Sequence, residues 1–514
     1  MEVNMNFERC AGILLHPTSL PGKFGIGDIG NDAYKFVDFL VSSGQVLWQV
    51  FPLGPTGYGD SPYQCFSAFA GNPLLVSPDM LLEENLLNQY DLDSYPQLDP
   101  INIDYGRVIG LKSFILHKAY ENFKLIKSNF QNDYNQFVSA NHDWLNDYAL
   151  FMACKEYHNG VAWPEWEKEI AFRKNDSVKK WTEKLENEVG YYTFVQFIFN
   201  RQWMKLKHYA ASKGIKIVGD LPIFIAYDSA DSWANRELFT IDDNGKLLTC
   251  AGVPPDYFSP TGQLWGNPLY RWDVMEKDNF LWWQKRFAKL FEIVDYVRVD
   301  HFRGFDAFFE IPGDAPTAQF GKWVNAPGDK LFTVIKQELG DLPIIAEDLG
   351  VITKTVAELR DKFGFPGMKI LQFSFGKDGE KKFLPHNYIN NCVVLTGSHD
   401  NNTTRGFFDD AKINNPEVYN FAQQYLNYYG EDICKQLIRE AYKSIANFVV
   451  IPLQDILNLG EEARMNFPGK LGGNWGWRFT WEQLNESVCS EYNNIVELYE
   501  RNPRTRKIAK YEEI

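Results

Sequence analysis

Asp300, Glu347 and Asp400 each stand at the C-terminal end of a short apolar segment that favours a β-strand. They are 47 and 53 residues apart, a spacing that suits successive strand–helix units of one parallel sheet. In a closed parallel barrel the C-terminal ends of the strands meet on one rim, where active sites of that architecture lie. We therefore expect the three carboxylates to share one site.

This set of residues suits chemistry on a sugar acetal. Cleavage of a glycosidic bond passes through an oxocarbenium-like state and needs two carboxyl groups. Arg298 shares a strand face with Asp300, so we expect it to keep Asp300 ionised as a nucleophile. Glu347 has the longer reach and is the predicted general acid/base, which requires a raised pKa in a partly dry site. Asp400, with neutral His399 beside it, is expected to hydrogen-bond sugar hydroxyls. A retaining reaction predicts that the carboxyl groups of Asp300 and Glu347 lie about 5–5.5 Å apart.

Other interpretations of these residues stay open. A single acidic residue at a strand end could instead cap the following helix. Asp220 follows the same pattern, and for it a turn role is as plausible as a substrate contact. His399 could be a structural histidine, and Arg298 a structural ion-pair partner. His301 and His399, each next to an aspartate, also allow a metal hydrolase to be considered. Adjacent residues on a strand point to opposite faces, however, so no metal site is predicted.

The elements that must position these residues form a repeating pattern. Apolar segments closed by turn or polar residues predict eight strands, the number in a (β/α)8 TIM barrel of the α/β class. Besides the three segments that end in the acidic residues above, the predicted strands are 11–15, 46–50, 216–219, 368–371 and 448–453. Helical periodicity lies between several of them, as at 31–42 and 355–362.

Two long insertions are predicted on the catalytic rim. The second and third strands are separated by 165 residues, most of them in a helix-rich segment with apolar periodicity at 111–122, 141–157 and 192–209. We expect 1–71 to form the start of the barrel, 72–205 a mainly helical subdomain and 206–514 the rest of the barrel. Within the last part, 221–295 is rich in Pro, Gly, Tyr and Trp and is predicted to be a loop insertion.

Composition excludes several classes of partner. The net charge of -15 over 514 residues argues against nucleic acid and anionic membranes, which need basic patches. The seven cysteines are scattered and give neither a zinc site nor a disulfide framework. The polar N-terminus does not resemble a signal peptide, and no stretch reaches the roughly 18 apolar residues of a membrane span. A cytoplasmic location is expected. The aromatic content of 16% supplies rings for core packing and for a groove that binds the apolar faces of sugars.

Three segments resemble the catalytic segments of a known family. They are Arg298-Val299-Asp300-His301-Phe302-Arg303-Gly304, Ala346-Glu347-Asp348-Leu349-Gly350 and Gly397-Ser398-His399-Asp400-Asn401. The family is that of the 4-alpha-glucanotransferases (amylomaltase or disproportionating enzyme), glycoside hydrolase family 77 of the alpha-amylase clan. The similarity extends over almost the whole chain, through 11–22, 54–64, 219–223, 254–259, 263–268, 464–466, 468–469 and 474–478. Motifs of this number and length are highly specific.

The resemblance implies an enzyme that moves α-1,4-glucan segments from a donor glucan to an acceptor glucan or glucose. The mechanism would be a retaining double displacement with Asp300 as the nucleophile that forms a covalent glycosyl intermediate, Glu347 as acid/base and Asp400 as transition-state stabiliser. The implied substrate-binding residues are Arg298, His399, Tyr63, Asp220, Ser61, Asp256, Gln263, Trp265, Tyr58 and Asn474. Neither a metal nor another cofactor is implied, and the expected state is a monomer or homodimer.

Within this group the resemblance gives two loops particular roles. Asp256, Gln263 and Trp265 would lie in a loop that covers the glucan, and Tyr58 would contribute to a second glucan contact. Tyr63 and Trp265 have Pro and Gly neighbours, so each could also be an aromatic that only packs a turn. Two competing functions use the same scaffold: an α-glucan hydrolase, which needs the same carboxylates, and a non-catalytic glucan-binding protein.

Overall fold

The computed structural model describes residues 7–255, 259–375, 381–430, 432–470 and 472–506. Twelve strands occur in this part of the chain. In chain order they are β1 (Cys10–Leu14), β2 (Leu47–Gln49), β3 (Lys216–Leu221), β4 (Thr249–Val253), β5 (Gln263–Pro268), β6 (Tyr296–Val299), β7 (Ala307–Pro312), β8 (Lys322–Asn325), β9 (Ile344–Ala346), β10 (Gly367–Ile370), β11 (Cys392–Leu395) and β12 (Phe448–Pro452).

The α-helices surround these strands. Within the described ranges they are α1 (Asn31–Ser42), α2 (Pro78–Glu83), α3 (Gln89–Asp93), α4 (Tyr105–Ile126), α5 (Gln131–Ala140), α6 (His142–Tyr157), α7 (Lys168–Ala171), α8 (Ser177–Lys184), α9 (Glu186–Ser212), α10 (Ala230–Ala234), α11 (Trp272–Met275), α12 (Leu281–Ile293), α13 (Gly328–Leu339), α14 (Lys354–Lys362), α15 (Thr404–Asn414), α16 (Pro416–Leu426), α17 (Ile433–Lys443), α18 (Leu453–Ile456) and α19 (Glu486–Leu498). None of them is long and apolar enough to cross a membrane.

Eight of the described strands form a closed parallel barrel, which confirms the predicted (β/α)8 fold. Their order around the barrel is β1, β2, β3, β6, β9, β10, β11 and β12, and β12 pairs with β1 to close it. Every residue of β1 and β12 is buried. Strands covered on both faces need apolar side chains on both faces, which is why their sequences are continuous apolar runs. All eight predicted strands coincide with these eight.

The segment 72–205 contains α2 to α8 and most of α9. The predicted helices at 111–122, 141–157 and 192–209 fall in α4, α6 and α9, and the structure extends the first and last of them in both directions. Helix α9 packs against α1 and leads into β3, so it joins this helical segment to the ring of barrel helices.

The segment 221–295 holds more regular structure than a loop. It contains β4, β5, α10, α11 and α12. Strand β4 pairs antiparallel with β5 and with β7, and β7 pairs with β8, which gives a four-stranded sheet in the order β5-β4-β7-β8. Because β7 and β8 follow β6 in the chain, half of this sheet comes from outside 221–295.

Residues near the C-terminal end of the chain pair with residues of the helical segment 72–205. Asn102 and Trp477 form an antiparallel bridge, the Ile103 N–H donates to the Gly476 carbonyl (2.8 Å) and the Arg478 N–H donates to the Ile101 carbonyl (2.9 Å). The residues around 475 are therefore tied to the segment that precedes α4. Helix α19 follows the residues around 475 and is the last helix of the described residues.

Candidate active site

Barrel hydrogen bonds continue past the strand ends and fix the backbone of two predicted catalytic residues. The Asp300 N–H donates to the Leu221 carbonyl (2.9 Å), and the Glu347 N–H donates to the Val299 carbonyl (3.0 Å). Both residues thus follow neighbouring strands, β6 and β9, at the C-terminal rim. The sheet itself brings the two carboxylates to one place.

A buried arginine lies between two aspartates on this rim. Arg298 Nη1 is 2.8 and 2.7 Å from the two carboxylate oxygens of Asp220 and 3.0 Å from Asp300 Oδ1. Burial lowers the pKa of Arg298, but the charges of Asp220 and Asp300 outweigh it and raise that pKa well above its ordinary value. The guanidinium is therefore a fixed positive charge against Asp300. Asp220 lies within β3, and its side chain is buried against the guanidinium.

Glu347 is held by backbone donors. The His301 N–H donates to Oε2 (2.7 Å) and the Leu349 N–H donates to Oε1 (3.1 Å). His301 adopts a left-handed backbone conformation (φ 47°), uncommon for a non-glycine residue. Burial raises the pKa of Glu347 to about 8; Arg298 opposes this shift and the charge of Asp300 adds to it. A carboxyl group with such a pKa is protonated at neutral pH and can act as an acid.

Aromatic rings enclose His399. The Tyr63 ring stacks on the imidazole (centroids 4.7 Å apart, 23° between planes), Phe51 contacts it edge-on at 5.2 Å, and Trp475 lies at 5.6 Å. Burial lowers the pKa of His399, which favours the neutral form. The Tyr63 hydroxyl lies 3.3 Å from Nδ1 and donates to Asp220 Oδ2 (2.9 Å). Tyr63 therefore connects His399 to the pair formed by Arg298 and Asp220.

Asp400 stands at the edge of this arrangement. Its side chain is half exposed, and its Oδ1 accepts a hydrogen bond from Asn466 Nδ2 (2.7 Å) and lies 3.4 Å from His399 Nε2. Arg464 Nη2 donates to the Asp400 carbonyl (2.7 Å). The segment that contains residues 464–466 thus fixes both the backbone and the side chain of Asp400.

Strand β5 borders the site with one face. The edge of the Trp265 ring contacts His301 (5.1 Å), and Trp265 Nε1 donates to Gln263 Oε1 (3.1 Å). Burial lowers the pKa of His301 to about 4, so this imidazole is neutral. Gln263 and Trp265 therefore lie beside the residue whose N–H binds Glu347. Asp256, the third predicted member of this loop, falls outside the described residues.

The remaining predicted binding residues lie around this centre. Ser61 Oγ accepts from the Tyr63 N–H (3.2 Å), and Tyr58 is exposed in a short 3-10 turn nearby. Asn474 Oδ1 accepts from the Phe467 N–H (3.0 Å) and its amide donates to the Lys470 carbonyl (2.9 Å). The Asn474 side chain thus closes its own loop, and its contact with substrate stays a prediction.

Comparisons with known proteins show the family of this chain. A model of the 4-alpha-glucanotransferase family matches residues 15–484. The chain belongs to this family. The 4-alpha-glucanotransferase of Synechocystis sp. is 49% identical over 502 residues, which cover 96% of this chain and 98% of the relative. That of Thermus thermophilus is 46% identical and covers 97% of this chain and 100% of the relative.

A solved structure gives the same assignment. Amylomaltase from Streptococcus agalactiae, in complex with acarbose, superposes with a TM-score of 0.93 at 40% identity, over 96% of this chain and 100% of that chain. The protein is therefore an enzyme of the 4-alpha-glucanotransferase type with the fold of that amylomaltase.

Several residues of this enzyme's site carried no role in the sequence analysis. They are Phe51 and Trp475, which pack on His399, and Asn466 and Arg464, which hold Asp400. Trp475, Asn466 and Arg464 lie in motifs that carried the family resemblance, and this was their only signal. Among the described residues, no three histidine, cysteine or acidic side chains converge in a way that could hold a metal ion.

Proposed function

We propose that the enzyme transfers α-1,4-glucan segments by a retaining double displacement, with Asp300 as nucleophile, Glu347 as acid/base and Asp400 as stabiliser of the transition state. The observation that carries this proposal is the difference between two neighbouring carboxyl groups. Asp300 lies against the fixed charge of Arg298, whereas burial and the Asp300 charge raise the pKa of Glu347. One group suits attack and the other suits proton donation.

In the first step Glu347 gives its proton to the glycosidic oxygen as the bond from that oxygen to the anomeric carbon breaks. A carboxylate oxygen of Asp300 forms a bond to the anomeric carbon, and the shortened glucan leaves with the proton. Because Glu347 has lost its proton, its carboxylate is then ready to act as a base.

In the second step the 4-hydroxyl of an acceptor glucan approaches the same carbon. Glu347 takes the hydroxyl proton, the oxygen bonds to the anomeric carbon and the bond to Asp300 breaks. Each step inverts the configuration, so the product keeps the α-linkage. Asp400 and neutral His399 supply hydrogen bonds to the sugar hydroxyls where positive charge develops in the ring.

The relatives' names support an α-1,4-glucan as substrate, and the stacked rings of Tyr63 and His399 offer an apolar wall for a sugar face. Transfer rather than hydrolysis requires that acceptor sugar outcompete water. Strand β5 carries Gln263 and Trp265, and Trp265 contacts His301, whose N–H donates to Glu347. This strand is the proposed cover.

A glucosyl fluoride assay in azide tests the two catalytic roles separately. Fluoride leaves without protonation, so a Glu347→Ala variant should still form the glycosyl intermediate. Azide should then attack that intermediate and give the α-glycosyl azide by two inversions. An Asp300→Ala variant should give the β-azide, because azide replaces the nucleophile and only one inversion occurs. The opposite pairing of products would reverse the two assignments.

Maltotriose distinguishes the competing functions. Transfer predicts a ladder of longer oligosaccharides, whereas a hydrolase would produce only shorter sugars. An Asp300→Asn variant as active as the parent would show that this carboxylate is not the nucleophile.

A further inference from the structure

Trp475 contacts three residues of the active-site wall at once. Its ring centroid lies 5.8 Å from that of Tyr63, 5.6 Å from His399 and 5.7 Å from Phe51. Trp475 is only 5% exposed, so it offers almost no surface to a ligand. Trp475 therefore contacts the residues that would touch the sugar and is itself shielded from the sugar.

The backbone of Trp475 is in an unfavourable conformation. Its φ is +62°, in the left-handed region that bulky side chains rarely adopt. Gly472 and Gly473, in the same loop, have φ of +78° and +73°. The loop thus has glycine at two left-handed positions and a tryptophan at a third. Such outliers persist where the surrounding structure determines them, and they cluster at functional sites.

The backbone N–H and the carbonyl of Trp475 both form hydrogen bonds with residues outside the tip of its loop. Its N–H donates to the Met465 carbonyl (2.8 Å), and its carbonyl accepts a hydrogen bond from the Tyr105 hydroxyl (3.1 Å). Tyr105 is buried and begins α4, so this bond links the helical segment to the active-site wall. The pairing of 101–103 with 476–478 fixes the same stretch of backbone from the other side.

We propose that Trp475 is a positioning residue that holds His399 and Tyr63 in their reactive arrangement, and that Tyr105 keeps Trp475 in its left-handed conformation. Without the indole ring, His399 would lose one of the three aromatic neighbours found among the described residues, and its alignment with Asp400 and the Tyr63 hydroxyl would loosen. This inference rests on the proposed roles of His399 and Asp400.

Two substitutions separate the ring from the backbone. Trp475→Gly deletes the ring but suits the positive φ, so it should not lower the melting temperature below that of Trp475→Ala. We expect kcat of Trp475→Gly for maltotriose disproportionation to fall about 100-fold with little change in KM, since small misplacements of site residues cost that much. Trp475→Phe should restore kcat to within about 10-fold of the parent.

The pH dependence of kcat/KM tests the proposal, because a residue that only stabilised the fold would not change it. Loss of the ring exposes His399, so the pKa that burial now lowers should rise toward its ordinary value of 6.5. The proposed reaction uses neutral His399, so activity is lost as the pH falls through the pKa of His399. The acid limb of kcat/KM should therefore move to higher pH in Trp475→Gly and stay in place in Trp475→Phe. Tyr105→Phe, which removes only the hydroxyl, should shift kcat in the same direction as Trp475→Gly and by less.

Trp477 provides the matched control, since it is a buried tryptophan two residues away that pairs with Asn102. Trp477→Phe should keep the parent kcat and acid limb. The proposal is overturned if Trp475→Gly keeps kcat within a few-fold of Trp477→Phe, or if it loses activity with an unmoved acid limb. The azide products of Asp300 and Glu347 variants do not depend on Trp475, so they show independently whether the proposed function fails.

Discussion

Asp300 and Glu347 follow neighbouring strands in the same way, and their surroundings make them chemically different. Arg298 puts a full positive charge 3.0 Å from Asp300. The carboxyl group of Glu347 accepts hydrogen bonds from two backbone N–H groups, and burial raises its pKa to about 8. Two carboxyl groups that are placed equivalently by the barrel can thus take opposite roles.

This difference predicts a pH dependence. Glu347 must be protonated to act as an acid, and a raised pKa means that the protonated form is present below about pH 8 and lost above it. We expect kcat/KM for maltotriose to fall as pH rises through about 8. A profile between pH 5 and 10 measures this limb.

A donor that needs no acid gives the control. With a glucosyl fluoride, formation of the intermediate should lose the basic limb, because fluoride leaves unprotonated. A basic limb that is the same for both donors would assign it to another group.

The residues that sequence reasoning placed correctly depend on local patterns. Arg298, Asp300 and Glu347 could be located because an apolar strand followed by an acidic residue is visible within a few positions. Trp475 could not, since its position depends on a left-handed backbone and on a hydrogen bond from Tyr105, 370 residues earlier in the chain.

Strand β5 presents two neighbouring side chains to opposite faces of its sheet. Trp265 contacts His301 beside the Glu347 carboxyl, whereas Leu264 is 47% exposed. If the proposed cover excludes water, its effect should come from Trp265 and not from Leu264.

Substitution of Trp265 should therefore favour hydrolysis over transfer. Transfer conserves the number of reducing ends, whereas hydrolysis adds one for each bond cleaved. We expect Trp265→Ala to raise the ratio of new reducing ends to transfer products by about 10-fold, which corresponds to a change of about 1.4 kcal/mol in discrimination. Leu264→Ala, on the other face of the strand, should leave the ratio unchanged, and equal effects of the two variants would contradict the proposed cover.

The strands of the sheet that contains β5 were not predicted from the sequence. The eight barrel strands were predicted because each is a short, mainly apolar segment that is closed by turn or polar residues. Strands β4 and β5 contain Gly252 and Gly266, and β4 pairs with β7, which follows β6 in the chain and itself pairs with β8. Pairing between segments so far apart leaves no periodic signal within either one.

At the scale of the whole molecule, closure of the barrel joins the first strand to the last. Arg501 is fully buried below this junction, and its guanidinium donates to five backbone carbonyls. They are those of Cys10 (3.3 Å), Tyr442 (2.6 Å), Ser444 (2.7 Å), Ala446 (3.0 Å) and Asn447 (3.4 Å). The carbonyls of Cys10, Ala446 and Asn447 lie at the N-terminal ends of β1 and β12, and those of Tyr442 and Ser444 lie at the C-terminal end of α17. All five are away from the catalytic rim.

Arg501→Met should destabilise the fold without changing the chemistry. It removes five buried hydrogen bonds, but Arg9 still donates to the Tyr442, Ser444 and Ala446 carbonyls and the Cys10 N–H to that of Asn447. We therefore expect a loss of about 1.5–3 kcal/mol in the free energy of unfolding. Denaturant unfolding measures this loss, and kcat of the folded variant should match the parent. Arg405→Met, at an exposed arginine, should change stability by less than about 0.5 kcal/mol. A fall in kcat of Arg501→Met would instead show that the two ends of the barrel are coupled.

The two N–H groups that bind Glu347 also determine the direction of proton delivery. Each carboxyl oxygen has two lone pairs, and His301 and Leu349 occupy one on each. The carboxyl plane is therefore fixed by main-chain atoms, and the side chain cannot turn to follow a displaced substrate. The carboxyl proton occupies a remaining lone-pair position, and a glucan must bring its bridging oxygen to that proton as the acceptor. Sugars of the wrong linkage geometry can therefore bind in the cleft and still receive no proton.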